Sequence, residues 1–306
     1  NGTRDDRPRN FVSGDFNNDG LVDFLIFERL NLNRIQKVYF AEIGLLPGGT
    51  AVPATVACPA LGIDDKTDFY IIEFDGDGVP EIMVVNRTTN KYTILKFNSV
   101  TNTLTAIAGQ TNIALTNFTE KTPIIFGDFN GDGLTDFITP QKIYNLEGST
   151  AARELSEMET ETLLWWQYIS TGQSFVKTQK DFTQQKLAYI ATSQRNVMKK
   201  SSTWDKIWSG KPDTYQYTEY ATSTILAADF NNDGKTDLIA VRKFGKAKYD
   251  LSGRLSLTNI QPLNSFENVS PVNANRIFFH ETRNLPDGSQ TLHNLSTTIA
   301  LDNVNI

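Results

Sequence analysis

One short segment occurs four times in this chain, and few folds accommodate that. SGDFNNDGLVDFLIF from Ser13, IEFDGDGVPEIMVV from Ile72, FGDFNGDGLTDFITP from Phe126 and AADFNNDGKTDLIAV from Ala227 align without gaps. Their first acidic positions are Asp15, Glu73, Asp128 and Asp229, at intervals of 58, 55 and 101 residues. In each copy an apolar stub leads into an acidic, glycine-containing loop, and a β-rich run such as Phe24-Leu25-Ile26-Phe27 or Ile82-Met83-Val84-Val85 follows. These runs are too short for typical helices and read as strands. The rest of each unit supplies further strand candidates: Lys37–Ile43, Tyr92–Phe97, Leu163–Ser170 with Ser174–Thr178, and Arg276–Glu281. About four strands in roughly 50 residues, repeated, is the signature of a β-propeller. The fold class expected is therefore all-β, a propeller of at least four blades, partial or larger, occupying residues 1–306 as one domain or as a propeller fragment.

The long third interval makes residues 142–222 either an irregular insertion or a blade that has lost its loop. Ala151–Glu161 reads as a short acidic helix or a polar hairpin tip. Arg195–Gly210, with Lys199, Lys200 and Lys206, reads as a partly helical excursion with a solvated basic face. Thr297–Ile306 reads as the inner strand of another blade, as in a segment of a larger protein.

The loops carry oxygen at fixed spacing. Counting from the first acid, side-chain oxygens stand at positions 1, 3, 5 and 9, with glycine at 6 and a backbone carbonyl available at 7. The first loop offers Asp15, Asn17, Asp19, Leu21 (carbonyl) and Asp23, and the third offers Asp128, Asn130, Asp132, Leu134 (carbonyl) and Asp136. The fourth offers Asp229, Asn231, Asp233, Lys235 (carbonyl) and Asp237. The second departs, with Glu73, Asp75, Asp77, Val79 (carbonyl) and Glu81, and with Pro80 beside the last ligand. Such a shell suits a hard cation, and calcium, with its six to eight oxygens in flexible geometry, suits it better than magnesium. No loop contains sulfur or imidazole, which disfavours zinc and copper. Position 12, where an EF-hand needs a bidentate Glu, holds Ile26, Val84, Thr139 and Ala240. Up to four Ca2+ ions are expected, with the 73–81 loop the least regular site. Carboxylate number alone predicts that Asp132→Ala empties its three-carboxylate loop, whereas Asp77→Ala leaves three acids and partial occupancy.

These segments resemble the FG-GAP or VCBS repeats, the calcium-loop propeller blades also found in integrin α-subunit heads. The resemblance implies that each loop joins the two innermost strands of its blade. A second resemblance, carried by WWQYISTGQSF at Trp165–Phe175, is to the blades of large bacterial Rhs- and Tc-type secreted proteins. Both imply a secreted, extracellular or cell-surface setting.

Composition then narrows the function. The chain has 35 acids against 29 bases, and thirteen of the acids lie in the four loops, leaving a mildly basic body. Nucleic acid is disfavoured, since phosphate binding needs a concentrated basic surface. No run approaches the length of a membrane span. Cys58 is the sole cysteine, read as a small packing residue, and His280 and His293 are the two histidines. His280 and Glu281 are adjacent on a strand and point to opposite faces, so they form no acid–base pair. Trp165, Trp166, Trp204 and Trp208 read as packing residues before sugar platforms. The expectation is a non-catalytic module that binds a protein or glycan, or other domains of a longer chain. The alternative is a polysaccharide-active enzyme with its site at the propeller mouth or within 142–222; Tyr215, Tyr217, Glu219 and Tyr220 are its densest candidates.

Overall fold

The computed structural model describes residues 9–30, 34–42, 54–146, 161–200, 214–248, 261–262, 276–284, 290–294 and 299–300, and among them there is no helix. The first sheet is a meander of β1 (Arg9–Gly14), β2 (Asp23–Leu30), β3 (Arg34–Glu42) and β4 (Ala54–Val56). The second repeats it with β5 (Thr67–Ile72), β6 (Glu81–Asn86), β7 (Lys91–Asn98) and β8 (Thr103–Ala106), plus a two-residue β9 (Ile113–Ala114) on β7. Both are antiparallel throughout.

The third sheet is ordered β10 (Ile125–Gly127), β11 (Asp136–Pro140), β13 (Leu164–Ser170), β14 (Phe175–Asp181). Between its second and third strands the chain detours through β12 (Ile143–Tyr144), which pairs in parallel with β15 (Tyr189–Ile190). The fourth sheet runs β16 (Ser193–Lys200), β17 (Thr214–Ala228), β18 (Asp237–Lys248), β20 (Arg276–Asn284), β21 (Gln290–Asn294). In it β19 (Gln261–Pro262) pairs with β18 and β22 (Ile299–Ala300) with β20. Four loop-bearing sheets of this form are the blades of a β-propeller.

One reading changes. Residues 195–200 are strand, not the start of a helical excursion. Ser193–Lys200 is held in antiparallel register by Thr214–Ala221, a Tyr- and Thr-rich partner that favours a pleated sheet. Residues 201–213, with Lys206, Trp204 and Trp208, lie outside the described residues, as do 151–160. Of Thr297–Ile306, Ile299–Ala300 pairs with β20 in the fourth sheet; the rest lies outside the described residues.

The chain divides into two compact units, Asn1–Phe137 with Gln167–Thr178, and Ile138–Trp166 with Gln179–Ile306. In the first unit one apolar cluster joins Val12, Phe16, Leu25, Phe27, Val38 and Phe40 of the first blade to Ile82, Val84, Leu95 and Phe97 of the second. The strands after the second and third loops are the most deeply enclosed: every residue from Glu81 to Val85 and from Asp136 to Pro140 is buried. Enclosure on both faces explains why these strands read as continuous apolar runs rather than alternating ones. Outer β14 is largely exposed and polar. A second focus gathers around Phe137, stacked on Tyr168 at 4.2 Å and edge-on to Phe175 at 4.9 Å. In the second unit Trp165 is buried against Phe182 and donates its indole N–H to the Leu187 carbonyl at 2.8 Å. It is a packing residue, as its type predicts.

Candidate metal loops

All four loops join paired strands: β1 to β2, β5 to β6, β10 to β11 and β17 to β18. Two left-handed residues bend each one. Position 6 is Gly20, Gly78, Gly133 or Gly234, with φ between +79° and +85°. Position 4 is Asn18, Gly76, Gly131 or Asn232, also at positive φ. Only glycine and asparagine reach that region cheaply, so the restriction of position 4 to these two types was a readable signal that the oxygen spacing left unused.

Side-chain oxygens then knit the turn. In the third loop Asp128 accepts from the N–H groups of Gly131 (2.6 Å), Asp132 (3.1 Å) and Gly133 (2.8 Å). Asn130 accepts from Asp132 N–H, and Asp132 accepts from Leu134 N–H. The first and fourth loops repeat the pattern: Asp15 takes the N–H groups of Asp19 and Gly20, and Asp229 those of Asp233 and Gly234. Asn17 and Asn231 each accept from position 5, and Asp19 and Asp233 accept from Leu21 and Lys235. The loop's own N–H groups, Gly234 foremost, hold the Asp229 carboxyl below the usual carboxylate range. Positions 1, 3 and 5 thus fix the shape of each turn through bonds to its own N–H groups.

Position 9 is different in kind. Asp23, Glu81, Asp136 and Asp237 open the strand that follows each loop and are fully buried. Each accepts from the N–H of position 2: Phe16 (3.1 Å), Phe74 (2.8 Å), Phe129 (3.0 Å) and Phe230 (3.3 Å). The first three phenylalanine rings are buried and pin their loops to the core; Phe230 is 44% exposed. Asp136 also accepts from Ser170 N–H at 2.8 Å. Burial pushes its carboxyl up to about 7; the two N–H bonds pull it down, and the nearby Asp132 and Asp128 push it up again. A buried acid crowded by two others is the arrangement a divalent ion relieves. The oxygen-only donor sets of the first, third and fourth loops fit such an ion.

The second loop brings in a residue from outside. Carboxylate oxygens of Glu73, Asp75 and Glu81 lie within 4.8 Å of one another. Lys96, on β7, sets its Nζ 2.5 Å from Asp75 Oδ2, 2.6 Å from Asp77 Oδ2 and 3.3 Å from Glu81 Oε1. The Glu81 contact is an ion pair without hydrogen-bond geometry. Burial works against the ammonium, yet Asp75, Asp77 and Glu81 outweigh it and hold Lys96 above the usual lysine range. Burial still pushes Glu81 up to about 7. The loop is also braced by its neighbours: Glu73 N–H donates to Thr135 Oγ1 at 2.9 Å, Thr135 N–H donates to the Glu73 carbonyl, and Ser170 Oγ donates to the Phe74 carbonyl. Nothing in the sequence spacing points to Lys96, Thr135 or Ser170.

Residues 73–139 match the FG-GAP-like repeat family. That match, with the four-blade arrangement, supports an FG-GAP repeat propeller. The matched stretch opens at position 1 of the second loop and closes three residues past position 9 of the third, so it contains two of the four loops. No curated protein matches the chain. FG-GAP repeats in general bind calcium and are typical of extracellular proteins, and their propellers are typically non-catalytic.

Of the other candidates named from the sequence, Glu219 and Cys58 have described side-chain surroundings. Glu219 is buried on β17 and takes both Nε (2.8 Å) and Nη2 (2.7 Å) of Arg195, its register partner on β16. Cys58 packs against the first-unit core, and burial pushes its thiol up to about 11, away from reactivity. His280 lies on β20, in register with Leu238 and Asn294. Among the described residues no helix is long and apolar enough to cross a membrane.

Proposed function

We propose that this FG-GAP-like propeller is a non-catalytic module of an extracellular protein, held in shape by calcium at its first, third and fourth loops. It serves as a binding surface for a protein or glycan, or for other domains of its own protein. The observation that carries the reading is the buried Asp136 carboxyl, raised to about 7 within reach of Asp128 and Asp132 on a pre-bent, glycine-opened loop. A fold that spends three acids on one turn needs a compensating charge, and the donor set selects a hard cation. Extracellular calcium is millimolar, matched to modules with Kd of roughly 10⁻⁴–10⁻³ M. A site at ten times its Kd adds about 1.4 kcal/mol by mass action. The ions are therefore structural supports rather than switches. Thermal melts in excess chelator, then with calcium or magnesium restored, test this. The expected result is a lower melting temperature on chelation, recovered better by calcium; an unchanged melt refutes it.

A further inference from the structure

We propose that the second loop has exchanged its metal for an ammonium: Lys96 is a built-in cation, and the 73–81 loop takes no calcium. The inference rests on the calcium reading of the sister loops. Lys96 Nζ stands against positions 3, 5 and 9, the oxygens of Asp75, Asp77 and Glu81 that a divalent ion would need. Ammonium–carboxylate contacts of about 2.7–2.9 Å and calcium–oxygen contacts of about 2.3–2.6 Å claim the same space, so the two cations exclude each other.

The loop's own departures follow from this exchange. It is the one copy with an acid, Asp75, at position 3, where the other three have Asn17, Asn130 and Asn231. The extra carboxylate balances the extra ammonium, so the second loop with Lys96 keeps the net charge of the first and third loops. Glutamates at positions 1 and 9 place the carboxyl groups one methylene farther out, consistent with a tethered partner entering from the neighbouring strand. The register shows where that partner comes from. Ile82 pairs with Leu95, which sets Lys96 beside Glu81 on the adjoining strand. In the first blade Asp23, at position 9, faces Glu42, an acid, across the corresponding strand pair. The second blade thus carries its counter-charge covalently, and its stability should be independent of calcium supply.

The test is calorimetric titration of calcium into stripped wild-type, Lys96→Met and Lys96→Gln proteins. The expected result is one more calcium per chain in the Lys96 variants than in the wild type, with a lowered melting temperature in stripped protein that calcium restores. Equal stoichiometry in wild type and variants overturns the proposal, whatever the number. If the wild type takes no calcium but a variant takes one, the exchange stands and the reading of the other loops falls. Should neither variant fold, Asp77→Ala decides between the outcomes. An unchanged calcium count relative to wild type supports the exchange, and loss of one ion overturns it.

Discussion

Asp136→Asn separates a metal ligand from a structural acceptor, because it preserves size and removes charge. In calcium-stripped protein at alkaline pH two effects oppose each other. The rise of the wild-type carboxyl from 3.8 to about 7 sets a ceiling of about 4 kcal/mol on the cost of ionising it in the fold. Water at the exposed face of the loop brings that to roughly 2 kcal/mol. Asparagine escapes this cost but keeps one acceptor oxygen where two were used, toward Phe129 N–H at 3.0 Å and Ser170 N–H at 2.8 Å. Losing one such bond costs about 1–3 kcal/mol. The stripped variant should therefore lie within about 1 kcal/mol of wild type by this balance. Calcium changes the balance. The wild type gains about 1.4 kcal/mol from a site at ten times its Kd, and the variant, with Asp128 and Asp132 alone, gains little. The calcium-induced rise in Tm should be smaller in the variant by about 3 °C, given roughly 2–4 °C per kcal/mol for large domains. Scanning calorimetry on both proteins, stripped and calcium-loaded, measures the double difference. An equal calcium increment in both proteins, or one large loss identical in both conditions, refutes the reasoning and leaves Asp136 a purely structural acceptor.

Further outcomes follow from single contacts. The Arg87 guanidinium bonds Asp68, the Thr122 carbonyl at 2.7 Å and Tyr70 Oη at 3.0 Å, and lies over the Phe118 ring. Arg87→Lys should lower stability by about 1–3 kcal/mol in urea titration, since a point charge cannot reproduce the planar fork; a change under 0.5 kcal/mol would contradict that role. A Cβ on Gly14 would lie 2.9 Å from Pro80 Cγ, so Gly14→Ala should cost about 1–3 kcal/mol, and Pro80→Ala in the same chain should recover most of it; no recovery would place the strain elsewhere. The native state holds the Asp136 proton more tightly than the unfolded chain, so that contribution is complete below about pH 3.8 and lost as pH rises to about 7. Stripped wild type should lose stability relative to Asp136→Asn across that interval and stay level above it. A wild-type advantage that grows with pH would contradict the sign.

What the sequence carries legibly is the chemistry that acts over a few residues. The turn at Asp128–Asp136 is specified within nine positions, by oxygens that bond N–H groups two to five residues on and by Gly131 and Gly133 at positive φ. Repetition of that turn, each time followed by an apolar run, was enough to establish blades and their loops. Helix or strand at Arg195–Lys200 was not legible, because the decision belongs to the cross-strand partner at Thr214–Ala221. A polar, lysine-rich run has no strong preference of its own.

Charge compensation was decided by the tertiary structure. Carboxylates can be counted in the sequence, and the second loop has the most; by that count it should hold a cation best. Its cation instead comes from Lys96, fifteen residues beyond Glu81 and delivered by the pairing of Ile82 with Leu95. Asp136 likewise meets its second donor, Ser170, across 34 residues. A hydrogen-bonded turn is a short-range object that a few neighbouring residues determine. The Coulomb energy of a buried acid depends on every charge within a few ångströms, and only strand register determines which charges those are.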